Sequence, residues 1–451
     1  MATLTEALWD ALDGPVELLA TVAPVTGAGS LPSYFRVTDL ATASVTAAGL
    51  AIGELITELT GSAPMITVDR ALVSGWFGSS FRPIGWEVPS PWDALAGDYA
   101  TADGWIRLHT NAPHHRAAAL RVLEVPASPD AVAAEVASWH SRALEAAIVA
   151  EGGCAAAMHS EAEWVVHPQG AAVAGEPLLE WDQTDSGAIG EAWRPSAARP
   201  LAGLRVLDLT RVIAGPVATR FLTGYGANVL RIDPPDWAEP ALASEVNLGK
   251  RCARLDAKTP AGLAQLMGLI AKADVLVHGY RPGALRRLGL GSAARRKIRP
   301  GLIDVSLSAY GWSGPWADRR GFDSLVQMSS GIAARGMVWA GRERPTPLPV
   351  QALDHATGYL LAAAVIRGVT RAFSTRRGTF ARTSLARIAA ELVAAGGQSD
   401  TGPVTSPLPE RAEQTFWGDG ARLQPPLTVD GAPMGWDRSA APLGVDEPVW
   451  S

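Results

Sequence analysis

A short apolar run, a helix opened by proline and a second apolar run follow one another between positions 204 and 233, and few folds admit that alternation. LRVLDL (204–209) reads as a buried strand, Pro216 stands where the first turn of a helix begins, and VLRID (229–233) reads as the next strand. The pattern then recurs. TPAGLAQLMGLIAKA predicts a helix with Thr259 before it and Pro260 in its first turn, followed by the strands DVLVHGY and GLIDVSLSAYG. Strands joined by helices pair in parallel and need cover on both faces, so this half predicts an α/β fold with a doubly wound parallel sheet.

A chain of 451 residues has room for at least two cores. GEPLLEWDQTDSGAIGEAWRPSAARP, from Gly175 to Pro200, lacks sustained apolar periodicity and predicts a break. The expected organisation is therefore a first region over 1–175, a linker over 176–200, the α/β region over 201–395 and an extended tail over 396–451, rich in Pro, Gly and Asp. Hydrophobic residues at 47% and charged residues at 19% fit a soluble globular chain. A net charge of −6 argues against a surface built for nucleic acid or anionic lipid.

The segment MATLTEALWDALDG has no basic region ahead of an apolar core, so no signal peptide is expected. GYLLAAAVI (358–366), taken as the most apolar helical stretch, stops at Arg367, short of a membrane span. Cys154 and Cys252 are far apart and outside any CxxC spacing, which fits a reducing cytoplasm, and the eight histidines form no HExxH or comparable ligand set. No metal site is expected.

Two segments also repeat. Asp39 begins DLATASVTAAGLAIGEL and Asp354 begins DHATGYLLAAAVIRGV. They share Asp-x-Ala-Thr and, at one offset, the pairs Ala47–Ala48 and Ala362–Ala363. TGSAPMITVDRALVSGW follows the first and STRRGTFARTSLARIAAEL the second, which predicts two matching helices in matching surroundings. Asp354 precedes an apolar run and so belongs at or near a helix N-terminus, where free N–H groups favour a carboxylate or an oxyanion. A helix cap and a reactive carboxylate both satisfy that position.

The blocks LAGLRVLDLTRVIAGPVATRFLTGYGANVLRIDPP, NLGKRCARLDAKTPAGLAQLM, ADVLVHGYRPGALRRLGLG, SLSAYGWSGPWADRRGFDSLVQMSSG and LDHATGYLLAAAV resemble, in this order, the family III CoA-transferases (CaiB/BaiF), which include formyl-CoA transferases and 2-methylacyl-CoA racemases. GDYATADGWIRLHTN (97–111), SWHSRALEAAIVAEGGCAAAM and the EWVVHPQG block resemble the family's small domain. That domain follows the nucleophile helix in the family but here precedes the α/β half, as in a tandem duplication trimmed at both ends. The resemblance implies a Rossmann-like doubly wound parallel sheet with helices on both faces, plus a smaller α+β domain.

It also implies an activity: transfer of coenzyme A between carboxylic acids through an aspartyl mixed anhydride and an enzyme–CoA thioester, in a cytoplasmic homodimer with no prosthetic group. The substrates are an acyl-CoA and a carboxylic acid, with no nucleic acid and no membrane as partner. Asp354 is the implied nucleophile. Asp39 ranks second because Ala43 replaces Gly358 and no α/β half precedes it. The implied CoA contacts are Val212, Ile213 and Ala214; Leu255, Asp256, Ala257 and Lys258; Gly279, Tyr280 and Arg281; Arg287 and Leu288; and Arg320, Gly321, Phe322 and Asp323. Pro234 stands where some members present an arginine. The alternatives are a non-catalytic acyl-CoA-binding homologue and an acyl-CoA racemase or isomerase. The racemase's Gly-His-Asp element reads Gly321-Phe322-Asp323 here, and phenylalanine carries no proton. A dinucleotide oxidoreductase, for which Asp233 could serve as the ribose acid, requires a GxGxxG that TRVIAGP lacks.

Overall fold

The computed structural model describes residues 3–397, 402–404 and 408–450. Seven strands form its main sheet: β1 (Glu180–Ser186), β2 (Arg205–Leu209), β3 (Asn228–Asp233), β4 (Arg251–Arg254), β5 (Val275–His278), β6 (Ile303–Ser308) and β7 (Arg377–Ser384). Their spatial order is β1-β7-β6-β5-β2-β3-β4, and every pair is parallel except β1 against β7. The winding reverses between β2 and β5, which makes the carboxyl ends of these strands a ligand crevice by topology alone.

Strand alternation divides the core. Val206, Val229, Val277 and Val305 face the helix Ala214–Gly224 and two long helices, Val37–Thr60 and Ala352–Thr375. Leu207, Leu209, Leu230 and Leu276 face the other way, onto Pro260–Ala271 and Ala284–Arg287. The doubly wound sheet expected from sequence is present.

The repeat has a structural counterpart. Both long helices have 24 residues and carry Asp39 or Asp354 as the third. The residues before them, Arg36 (φ −75°, ψ 55°) and Gln351 (φ −75°, ψ 65°), have nearly the same backbone angles, and both helices end in a left-handed residue, Gly61 or Arg376. A strand and a helix follow each: Ile66–Val68 with Arg70–Gly78, and β7 with Leu385–Ala394. The two helices pack side by side, and a buried Arg367–Glu54 ion pair joins them.

Among the described residues Val37–Thr60, rather than 358–366, is the helix long and apolar enough to cross a membrane, with mean hydropathy 1.5 over an 18-residue window. Of that window 94% is buried inside the fold, as expected of a helix apolar on all sides that is surrounded by protein.

The small α+β unit consists of the antiparallel strands Gly97–Thr101, Gly104–Leu108 and Ala155–Ala157 with the helices Pro113–Leu123, Pro129–Val136 and Ser141–Ala150. Its core, including Ile106, Leu144 and Ile148, is its own. Two stretches read as irregular contain strands. The 176–200 segment supplies β1, the antiparallel edge of the main sheet. Within the tail, Glu410–Thr415 and Gly418–Leu423 form a hairpin on Phe81–Pro83, and Leu427–Val429 pairs with Ile66–Val68. The tail therefore binds the first region through backbone hydrogen bonds.

Candidate active site

The helix Ala352–Thr375 lies against Ala214–Gly224, and Gly358 is a point of close approach between them. A Cβ at Gly358 would lie 2.6 Å from the Ala214 carbonyl oxygen. The absence of a side chain there brings the strand-to-helix loop 212–214 next to the turn that holds Asp354. The corresponding position in the first copy, Ala43, is buried as well.

Asp354 is buried in the first turn of its helix, and its amide donates to Asp323 Oδ2 at 2.9 Å. Asp323 is wholly buried, accepts from Gln327 Nε2 through its other oxygen and also meets the backbone of Leu353. Gln327 in turn accepts from the Leu348 amide at 2.7 Å. Asp323 thus caps the Asp354 helix from a separate element. This revises the expectation that the helix N–H groups are free for an oxyanion, because those of the first turn are taken.

Two carboxyls are therefore held together away from water. Burial raises the Asp323 pKa to about 6, and burial together with the neighbouring Asp323 raises Asp354 well above the usual carboxylate range. Among the described residues the Asp354 carboxylate itself has no hydrogen-bond or ion-pair partner. Asp39 differs in this respect. Its oxygens pair with Arg36 at 2.6 Å and Arg70 at 2.5 Å, the arrangement of a structural ion pair.

The small unit covers this pair. His109 stacks face to face on Phe322, with ring centroids 3.7 Å apart, and His115 meets the same ring edge-on. Burial lowers both imidazoles to pKa values of about 3, so they are neutral, and Arg107 lies close enough to lower Asp323 slightly. No local sequence signal joined His109 to Phe322. His355 points elsewhere and stacks on Phe77.

The other expected contacts lie at the carboxyl ends of the strands. Val212 has a left-handed backbone (φ 66°), and its amide donates to Glu239 Oε1 at 2.7 Å, so it is not free for a ligand. Ile213 precedes the helix that Ala214 opens. Leu255, Ala257 and Tyr280 pack on one core cluster. Asp256 builds the turn before Pro260–Ala271, accepting from the Lys258 amide at 3.0 Å. Gly279 lies above Leu307, and Leu288 ends the short helix that contains Arg287.

Arg281, Arg287 and Arg320 converge. Burial, then Arg320 and Arg287, lower the Arg281 pKa. Arg320 also donates to the Gly152 carbonyl at 2.8 Å, joining this cluster to the small unit, and Gly321 fits closely against Ala309 and Tyr310. Arg211, which sequence reasoning passed over, lies beside these residues. Its guanidinium lies 4.5 Å from the Trp237 ring and 5.1 Å from the Tyr280 ring. Asp233 is fully buried and bonded to Arg231 at 2.8 Å, so it is unavailable to a ribose. Such a site can hold an anion on its arginines and present a carboxyl group to an electrophile.

Comparison with known proteins gives this arrangement relatives. Residues 201–415 match the family described as CoA-transferase family III. Succinyl-CoA:glutarate CoA-transferase of Mus musculus is 35% identical over 197 residues, covering 40% of this chain and 44% of that protein. A probable fatty acyl-CoA transferase of Mycobacterium tuberculosis is 35% identical over 183 residues, covering 38% and 46%. The chain thus spans less than half the length of either relative. A crystal structure of a CaiB/BaiF family protein from Brucella suis aligns at TM-score 0.39 and 25% identity, covering 49% of this chain and 65% of that one.

Proposed function

Given that residues 201–415 belong to CoA-transferase family III, we propose that this chain moves coenzyme A between carboxylic acids with Asp354 as nucleophile. The observation that carries the reading is the pairing of Asp354 with Asp323. The Asp354 carboxylate is buried, without a partner among the described residues, and made more basic by its neighbour. A carboxylate that is poorly stabilised when ionised gains more by bonding to carbon than one that is well solvated.

In the proposed sequence an Asp354 oxygen attacks the thioester carbonyl carbon, and the tetrahedral intermediate expels CoA thiolate to leave an aspartyl–acyl anhydride. The thiolate then attacks the aspartyl carbonyl, which releases the donor carboxylate and leaves aspartyl–CoA thioester. An acceptor carboxylate repeats the two exchanges in reverse. Atoms and charge balance without a redox or metal partner. Arg281, Arg287 and Arg320 would hold the phosphates of CoA, because their mutual repulsion is relieved by an anion. The small unit of the same chain covers Phe322, so one chain supplies both sides of the site. The homodimer expected from sequence remains part of the proposal.

Incubation with succinyl-CoA or acetyl-CoA, followed by hydroxylamine, should modify the Asp354 peptide in a mass spectrum. Asp354→Ala should lose transfer by a factor of at least about 1,000 and keep its CoA affinity, whereas Asp39→Ala should retain activity. Labelling of Asp39 instead would overturn the assignment. CoA binding with no labelling would favour an acyl-CoA-binding protein. A second reading, α-proton exchange on an acyl-CoA, is favoured by one observation: the neutral imidazole of His109 stacks on Phe322, the residue before Asp323. Deuterium uptake at Cα in heavy water, lost in His109→Ala, would support it over transfer.

A further inference from the structure

A cavity of about 350 Å³ lies against β5, β6 and β7. His278, Ser306 and Arg382 are register partners on these strands and line it. Their neighbours Val277, Val305 and Ala381 point into the core that holds the Asp354 helix. The cavity is therefore on the opposite face of the sheet from Asp354 and shares only Tyr280 and Arg281 with the expected CoA contacts.

Its lining is cationic. Arg281, Arg286, Arg295 and Arg382 surround it, against Asp318. Asp304 holds Arg295 at 2.6 Å and Glu180 holds Arg382 at 2.7 Å, but among the described residues Arg281 and Arg286 have no acid within ion-pair distance. One wall is flat and already fixed. The Trp312 indole N–H donates to the Thr383 carbonyl at 3.0 Å, and the Arg382 guanidinium lies 4.9 Å from the Trp312 ring and 5.6 Å from Phe380. His278 is 8% exposed, and its Nδ1 is buried without a hydrogen-bond partner. The volume is at the lower end of the range for small-molecule sites, about 300–1,000 Å³, and suits one ring with one anionic group.

We propose that this cavity is a second ligand site, apart from the thioester site, for a small organic anion carrying a flat ring. The anionic group pairs with Arg286, and the ring lies against the wall of Trp312, Arg382 and Phe380. Carboxylate and phosphate both suit a guanidinium fork, so benzoate and AMP are the two probes. Each is titrated calorimetrically into the full chain with CoA at saturation, which keeps either probe out of the CoA site. At least one should bind, and Arg286→Gln and Arg382→Gln should each weaken that binding about tenfold or more while leaving CoA affinity unchanged. Arg286 is exposed, so its substitution decides the matter if the Arg382 variant does not fold. The proposal is overturned if neither probe binds with CoA present, if Arg286→Gln leaves probe affinity unchanged, or if it weakens CoA equally, which would make the cavity an end of the CoA site.

Discussion

A single methyl group at Gly358 should separate the reactive helix from the loop beside it. Gly358→Ala places Cβ 2.6 Å from the Ala214 carbonyl oxygen and 2.8 Å from Val217 Cβ and Cγ1, roughly an ångström inside ordinary contact. Neither neighbour can swing away, because one is backbone and the other is a β-branched side chain held to one rotamer in a helix. Alanine gains about 1 kcal/mol of helix propensity over glycine, and forced overpacking costs about 1–3 kcal/mol. The balance is a loss of up to about 2 kcal/mol, taken up as displacement of the Asp354 turn. Gly268 provides the control. It is inside the helix Pro260–Ala271 with nothing within 4 Å of its would-be Cβ, so Gly268→Ala should gain about 0.5–1 kcal/mol. A chain with several cores need not unfold in one step, so the assay is the thermal midpoint of each variant in one buffer, alongside the transfer rate. Gly358→Ala should melt lower than wild type and transfer at least about tenfold more slowly, whereas Gly268→Ala should melt slightly higher at full rate. Equal midpoints and rates for the two variants would refute the close approach and the positioning it implies.

Asp354→Asn should stabilise the fold increasingly as pH rises. The raised pKa values of Asp323 and Asp354 give stability that is whole below the ordinary value near 3.8 and is lost as pH rises through about 6 and beyond. Thermal midpoints should therefore diverge from wild type between pH 5 and 8, and a constant gap would exclude the coupling. Transfer by the wild type should rise with pH over the same range as Asp354 ionises, measured as kcat against pH. Arg281→Gln and Arg287→Gln should each weaken CoA about tenfold and flatten its salt dependence in calorimetry, and unchanged affinity in both would place the phosphates elsewhere. Lys250→Met should cost about 3–5 kcal/mol, because the fully buried Asp208 loses its cation at 3.1 Å. Adding Asp208→Asn should recover part of the lost midpoint, and no recovery would refute the ion-pair account.

What the sequence disclosed follows from where burial is two-sided. β2, β3 and the Asp-headed helices are buried on all sides, so their apolar runs were visible as runs. β1 was not visible because Glu-Trp-Asp-Gln-Thr-Asp-Ser is an edge strand in which only Thr184 is buried, which leaves no apolar alternation to read. In the hairpin at 410–423, Glu410–Thr415 is likewise an edge strand with only Thr415 buried, whereas Gly418–Leu423 is a central strand whose glycines and Arg422 leave no apolar alternation. Asp354 was identified by its place before an apolar helix and by the repeat. Asp323, 31 positions earlier, was legible only as part of a motif, and its role as cap and electrostatic neighbour depends on a contact that no local spacing encodes. His109 belongs to a different unit of the chain, so its stacking on Phe322 could be found only in three dimensions.

The pairing of Val37–Thr60 with Ala352–Thr375 also bears on how the chain is made. The first helix is completed by residue 60 and its partner begins at residue 352, so 291 residues are synthesised between them. At roughly 5–20 residues per second that is about 15–60 seconds in which a helix apolar on every side lacks the partner helix it packs beside in the finished fold. During that interval Glu54 lacks the guanidinium it meets in the finished fold. The nascent chain should therefore engage holding chaperones until Arg367 emerges, and pulse-labelled nascent chains should release them only after the ribosome has passed the second helix.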